Sequence, residues 1–155
     1  MTFLTDLTHN SIFMSAITGW FVAQVLKTII HIIVNKQFVA ERLVGGGGMP
    51  SSHSATVCAL ATATGIRYGG GSFEFALAAV FAIVVMYDAM GVRQETGKQG
   101  KVLNEMMEIF TQMGKNIDAE KALKELVGHT PLQVLMGAIL GIIIAIGMCN
   151  MQFFT

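Results

Sequence analysis

The sequence predicts an all-α integral membrane protein: a helical bundle of about four spans, with an amphipathic helical segment between spans three and four. Hydrophobic residues make up 53% of the 155 and charged residues 13%, where a soluble domain carries roughly 25% charged. The apolar residues also gather into runs near the roughly 20 residues that a helix needs to cross a hydrocarbon core of about 30 Å. The length suits one domain, residues 1–155. The formal net charge is zero, so nucleic acid has no electrostatic claim as a partner, and membrane lipids are the expected surroundings. Cys58 and Cys149 sit inside apolar runs, and the chain has no CxxC or HExxH spacing. That argues against a structural disulfide or a zinc site, and no metal or cofactor is expected.

Taken in order, residues 1–10 carry no Lys or Arg and no small-residue cleavage pattern, so the first apolar run reads as a retained membrane helix rather than a signal peptide. That run, residues 12–34, contains Gln24, Lys27 and His31 at spacings of three and four, which place them on one face. Polar groups in a membrane helix are costly and usually face the bundle interior or water. Two readings stay open here: Lys27 snorkels to the interface while His31 hydrogen-bonds near it, or the stripe supports a polar site. Residues 35–48 form a loop, residues 54–66 a short helix rich in Ala and Thr, and residues 68–72 a tight glycine turn. Residues 73–90 are the third apolar run, broken near its end by Asp88. In the polar segment 93–130, Val102, Leu103, Met106, Ile109, Phe110 and Met113 recur at helical spacing and give one apolar face. A second short helix is expected over residues 118–127, capped by Gly128. Residues 132–148 form the fourth run, whose Gly137 and Gly141 are a close-packing spacing.

The chemistry concentrates at Gly45-Gly46-Gly47-Gly48-Met49-Pro50-Ser51-Ser52-His53-Ser54. Proline suits the first helical position and small hydroxyl residues suit a helix start. A helix N-terminus presents unpaired N–H groups and the positive end of its dipole, which together attract an anion. Histidine adds a group that titrates near neutral pH. Further along, His129 precedes Thr130-Pro131, which reads as N-cap and first residue of the fourth span. With four spans, Lys36, Arg42, Arg93, Lys98, Lys101, Lys115, Lys121 and Lys124 share one side of the membrane and Arg67 stands on the other. The positive-inside rule then puts the cation-rich side in the cytoplasm and both termini outside. Ser51, Ser52, His53, Asp88, Arg93, Lys98 and His129 all fall at that cytoplasmic face.

The stretches 45–55 and 128–141 resemble the second and third motifs of the type 2 phosphatidic acid phosphatases. The closer likeness is to the divergent, short branch of that superfamily, which is related to acid phosphatases and vanadium haloperoxidases. In that branch the middle stretch from Tyr87-Asp88 through Arg93 to Gly97-Lys98-Gln99 is also characteristic. The resemblance implies that His129 is the nucleophile forming a phosphohistidine, and that His53 is the acid protonating the leaving oxygen. It implies that Ser51 and the backbone around Ser52 bind phosphate oxygens, and that no metal takes part. The chain departs from the ordinary pattern in four places. Ser52 stands for a glycine, Gln133 for the aspartate that orients the nucleophile, and Leu123 for an arginine. The first motif's Lys–Arg pair has no counterpart upstream. A neutral amide still sets the histidine tautomer but does not stabilise an imidazolium as a carboxylate does. Asp88 is the candidate electrostatic substitute, Arg93 and Lys98 are the candidate phosphate clamps, and Lys27, Arg42 and Lys124 stand in reserve.

The expected function is therefore a membrane phosphatase hydrolysing a lipid-linked phosphomonoester or diphosphate, multi-pass in a bacterial cytoplasmic membrane. The alternative is a non-catalytic lipid-phosphate or anion binding protein, or a carrier, on the same scaffold. The pattern leaves a homo-oligomer open.

Overall fold

A computed structural model describes residues 3–36, 48–113 and 129–150, and these form six helices. They are α1 (Phe3–His9), α2 (Ser11–Asn35), α3 (Ser52–Tyr68), α4 (Phe73–Met90), α5 (Val92–Gln112) and α6 (Pro131–Asn150). Among the described residues there is no strand. The short α1 was not legible as an element in the sequence. It is separated from α2 by Asn10, whose side-chain oxygen accepts from the backbone N–H groups of Ile12 (3.0 Å) and Phe13 (3.1 Å) and so caps α2.

Helix α3 is the centre of the bundle and packs against α2, α4 and α6. Its contact surface is made of small residues: Ala55, Ala59 and Ala63 are fully buried at intervals of four, which is one face of a helix. Helix α6 meets it with Gly137, Gly141 and Ala145, and α2 with Ser15, Gly19 and Ala23. A Cβ at Gly137 would run into the Ser51 carbonyl, and one at Gly141 into the Ala55 carbonyl. Lipid is as apolar as leucine, so helices in a membrane gain by close backbone approach rather than by burying greasy side chains against each other. The large apolar side chains accordingly point outward, among them Phe21, Leu77, Phe81 and Ile143.

Helices α2, α4 and α6 are each long and apolar enough to cross a membrane. Helix α3, with 17 residues and several hydroxyls, does not reach that standard by itself and is enclosed by the other three. The four apolar runs read from the sequence are thus four packed helices of two kinds. Pro50 also differs from expectation. It precedes the cap instead of opening the helix: Ser51 is the N-cap of α3, accepting from the Ser54 N–H at 3.4 Å. At the other end Gly69 closes α3 with φ +87°, a conformation that favours glycine. The expected helix over residues 118–127 and its Gly128 cap lie outside the described residues. On α5, Val102, Leu103, Met106, Ile109 and Phe110 form the anticipated apolar stripe and are exposed, the arrangement of a helix that lies in a membrane interface.

Three contacts bring Lys27 of α2, the start of α3, the end of α4 and the start of α6 together. Lys27 Nζ lies 3.5 Å from Ser52 Oγ. The His129 N–H donates to the Ala89 carbonyl (3.1 Å), and the Ser51 N–H donates to the Gln133 carbonyl (3.0 Å).

Candidate functional site

The two histidines meet at that junction. His53 sits in the first turn of α3, half-buried, and His129 stands two residues before α6, 2% exposed. Their ring centroids are 5.9 Å apart with planes at 62°. Both rings therefore lie where the N-terminal ends of two helices converge, each contributing unpaired N–H groups and positive dipole. Ser51 (0% exposed) and Ser52 (4%) are buried in the same first turn.

Gln133 organises this corner. Thr130 and Gln133 form a reciprocal cap of α6: the Gln133 N–H donates to Thr130 Oγ1 at 3.4 Å, and the Thr130 N–H donates to Gln133 Oε1 at 3.1 Å. The same Oε1 lies 3.1 Å from His129 Nδ1. A backbone N–H only donates, so the amide atom it meets must be the oxygen. That oxygen only accepts, so Nδ1 must carry a hydrogen. In the neutral ring the basic nitrogen is then Nε2. The Gln133 backbone carbonyl takes the Ser51 N–H, so one residue ties the His129 ring to the serine turn. The capping pattern Thr130-x-x-Gln133 is the sequence signal for this geometry.

The cations are distributed differently from expectation. Lys98 is exposed and pairs with Glu95 at 2.6 Å on the surface of α5. Asp88 is exposed in the last turn of α4, next to Ala89, whose carbonyl holds the His129 backbone. Arg93 lies in the first turn of α5, and its side chain is outside the described residues, as are Arg42, Leu123 and Lys124. Among the described residues, the reserve candidate Lys27 is the cation that the fold buries. It is 2% exposed and reaches Ser52 Oγ, so it does not snorkel. Its aliphatic stem passes Gly48, where a Cβ would stand 3.1 Å from Lys27 Cγ and 3.3 Å from Cδ. Gly48 also has φ +85°, so this glycine of the run is required both by backbone and by room for the lysine. The polar stripe of α2 divides: Gln24 and Lys27 turn inward, while His31 Nδ1 lies 2.8 Å from Asn35 Nδ2 at the helix end.

The assembled group is two histidines, two helix N-termini, buried serine hydroxyls and a buried ammonium. Donors and positive charge, with no carboxylate facing them among the described residues, suit an anion, and a phosphate above all. Among the described residues no three His, Cys, Asp or Glu side chains gather as a metal site would need.

Comparison with known proteins places the chain among membrane proteins of one family. The divergent PAP2 family matches residues 8–144. A protein of Bacillus subtilis (strain 168), described as the uncharacterized membrane protein YuiD, is 35% identical over 150 residues, covering 91% of this chain and 95% of its own. No solved structure matches.

Proposed function

We propose that this chain, which belongs to the divergent PAP2 family, is a membrane phosphatase acting on a lipid-linked phosphomonoester or diphosphate. The observation that carries the reading is the juxtaposition of His53 and His129, 5.9 Å apart at two converging helix starts. The phosphoryl group sits among Ser51, Ser52 and Lys27, whose donors neutralise its oxygens. His129 Nε2 attacks phosphorus while the bond to the leaving oxygen breaks, and His53 gives that oxygen its proton. Water then attacks the phosphohistidine, His53 takes a proton from the water, and inorganic phosphate leaves with Nε2 restored. Gln133 holds the Nδ1–H throughout, so Nε2 faces the substrate as the nucleophile. With the cation-rich loops in the cytoplasm, the site opens to the cytoplasmic leaflet of a bacterial membrane.

Gln133 also favours a second reading. An amide stabilises an imidazolium less than a carboxylate does, which suits a lipid-phosphate binding protein or carrier that holds the anion without turning it over. One experiment separates the two. Phosphate release is measured from glycerolipid phosphates and isoprenyl diphosphates with purified protein, His53→Ala and His129→Ala. Turnover that either substitution abolishes supports the phosphatase. Vanadate binding without turnover on any substrate supports the binding protein.

A further inference from the structure

Gln24 lies one helical turn before Lys27 on the inward face of α2, and its side chain has no place in the reaction just described. It is 5% exposed, and its Oε1 is buried with no hydrogen-bond partner among the described residues. A carbonyl oxygen buried without a donor inside a membrane bundle is costly, and a site that binds a hydrogen-bearing ligand recovers that cost when the ligand arrives. Residues three apart on a helix are neighbours at about 5–6 Å between Cβ atoms, and Lys27 Nζ touches Ser52 at the serine turn. Gln24 is therefore the inward-facing neighbour of the lysine that reaches the serine turn.

Its chemistry differs from that of its neighbours. Lys27 Nζ and the backbone N–H groups are donors and serve any oxyanion alike. Gln24 Oε1 only accepts, and in the orientation that buries it without a partner it rewards a ligand oxygen that carries a hydrogen over one that does not. A phosphomonoester keeps such a hydrogen in its monoanionic form, because its second ionisation lies near pH 6, and inorganic phosphate carries one in both its monoanion and its dianion. A phosphodiester has no second ionisable oxygen, and sulfate is a bare dianion near neutrality. The distinction matters at a bilayer surface, where diester headgroups surround the site in great excess.

We propose that Gln24 is a specificity-determining residue: its Oε1 accepts the hydrogen of a monoprotonated phosphoryl group and so selects terminal phosphates over the diester phosphates of the surrounding lipid. This rests on the phosphate-site reading above but not on turnover. The full-length protein in a maltoside detergent, free of phosphate headgroups, is titrated with inorganic phosphate and separately with sulfate near pH 6. The wild type is expected to prefer phosphate. Gln24→Leu, and Gln24→Met as the unbranched variant that better keeps the packing, should lose roughly ten- to a hundredfold in phosphate affinity with sulfate affinity unchanged. Equal losses for both anions, or no loss for either, would overturn the proposal, since a packing role cannot tell phosphate from sulfate. A wild type that binds neither anion overturns the phosphate site itself. Selective binding with no turnover leaves Gln24 standing and removes only the phosphatase.

Discussion

Gln133 Oε1 accepts from the Thr130 backbone N–H and stands 3.1 Å from His129 Nδ1, so the cap of α6 and the tautomer of the proposed nucleophile are set by one atom. The position where an orienting carboxylate is expected thus still orients, through geometry rather than charge. Removing the oxygen should matter more than changing its charge. Gln133→Leu is expected to lower turnover by about 10²–10⁴-fold, as when an orienting partner in a triad is lost. Gln133→Glu, which keeps an acceptor in place, should retain much of the rate. Ring-nitrogen NMR of His129 checks the cause: the Nδ1–H tautomer persists with Glu and is lost with Leu.

Lys27 and Lys98 make opposite predictions. A buried ammonium that meets the phosphate makes a charge-assisted hydrogen bond, whereas an exposed pair such as Lys98–Glu95 carries little energy. Lys27→Met should weaken vanadate binding by about 10–100-fold, and by far more than Lys98→Ala does. Binding titrations of the two variants side by side decide between the interior and the surface clamp.

Gly48→Ala should act on the same site from the other side. An alanine there is strained at φ +85° and places its methyl against the Lys27 stem. A stability loss of about 1–2 kcal/mol should accompany a several-fold loss of vanadate affinity. Thermal unfolding in detergent measures the first and titration the second.

The helix contacts predict a contrast between two glycines of α6. Gly137→Val drives a branched side chain into the Ser51 carbonyl, separating α6 from α3 at the very turn that carries the serines. Overpacking of this kind costs about 1–3 kcal/mol, and vanadate binding should fall with it. A Cβ at Gly147 meets nothing within 4 Å, so Gly147→Ala should leave the melting temperature unchanged or raise it. Melting curves of both variants in one detergent test the contrast.

The helices were largely legible because their causes are local. Apolar length marked α2, α4 and α6, small residues marked α3, and a 3.6-residue period marked α5. The pairing of His53 with His129 was also anticipated, because each stands at the start of a helix and the expected topology puts both starts at one face. The burial of Lys27 was not. Lys27, Lys98 and Arg93 are equivalent as formal charges in a sequence, and only the packing of α2 against the glycine-bearing turn buries Lys27 beside Ser52. The Ala89 carbonyl that holds His129 has no sequence signature at all, since any residue supplies a carbonyl. For this protein the order of residues determined which segments are helices and which two histidines begin them. Tertiary structure decided which polar side chains turn inward, because that depends on how closely glycine and alanine faces let neighbouring backbones approach.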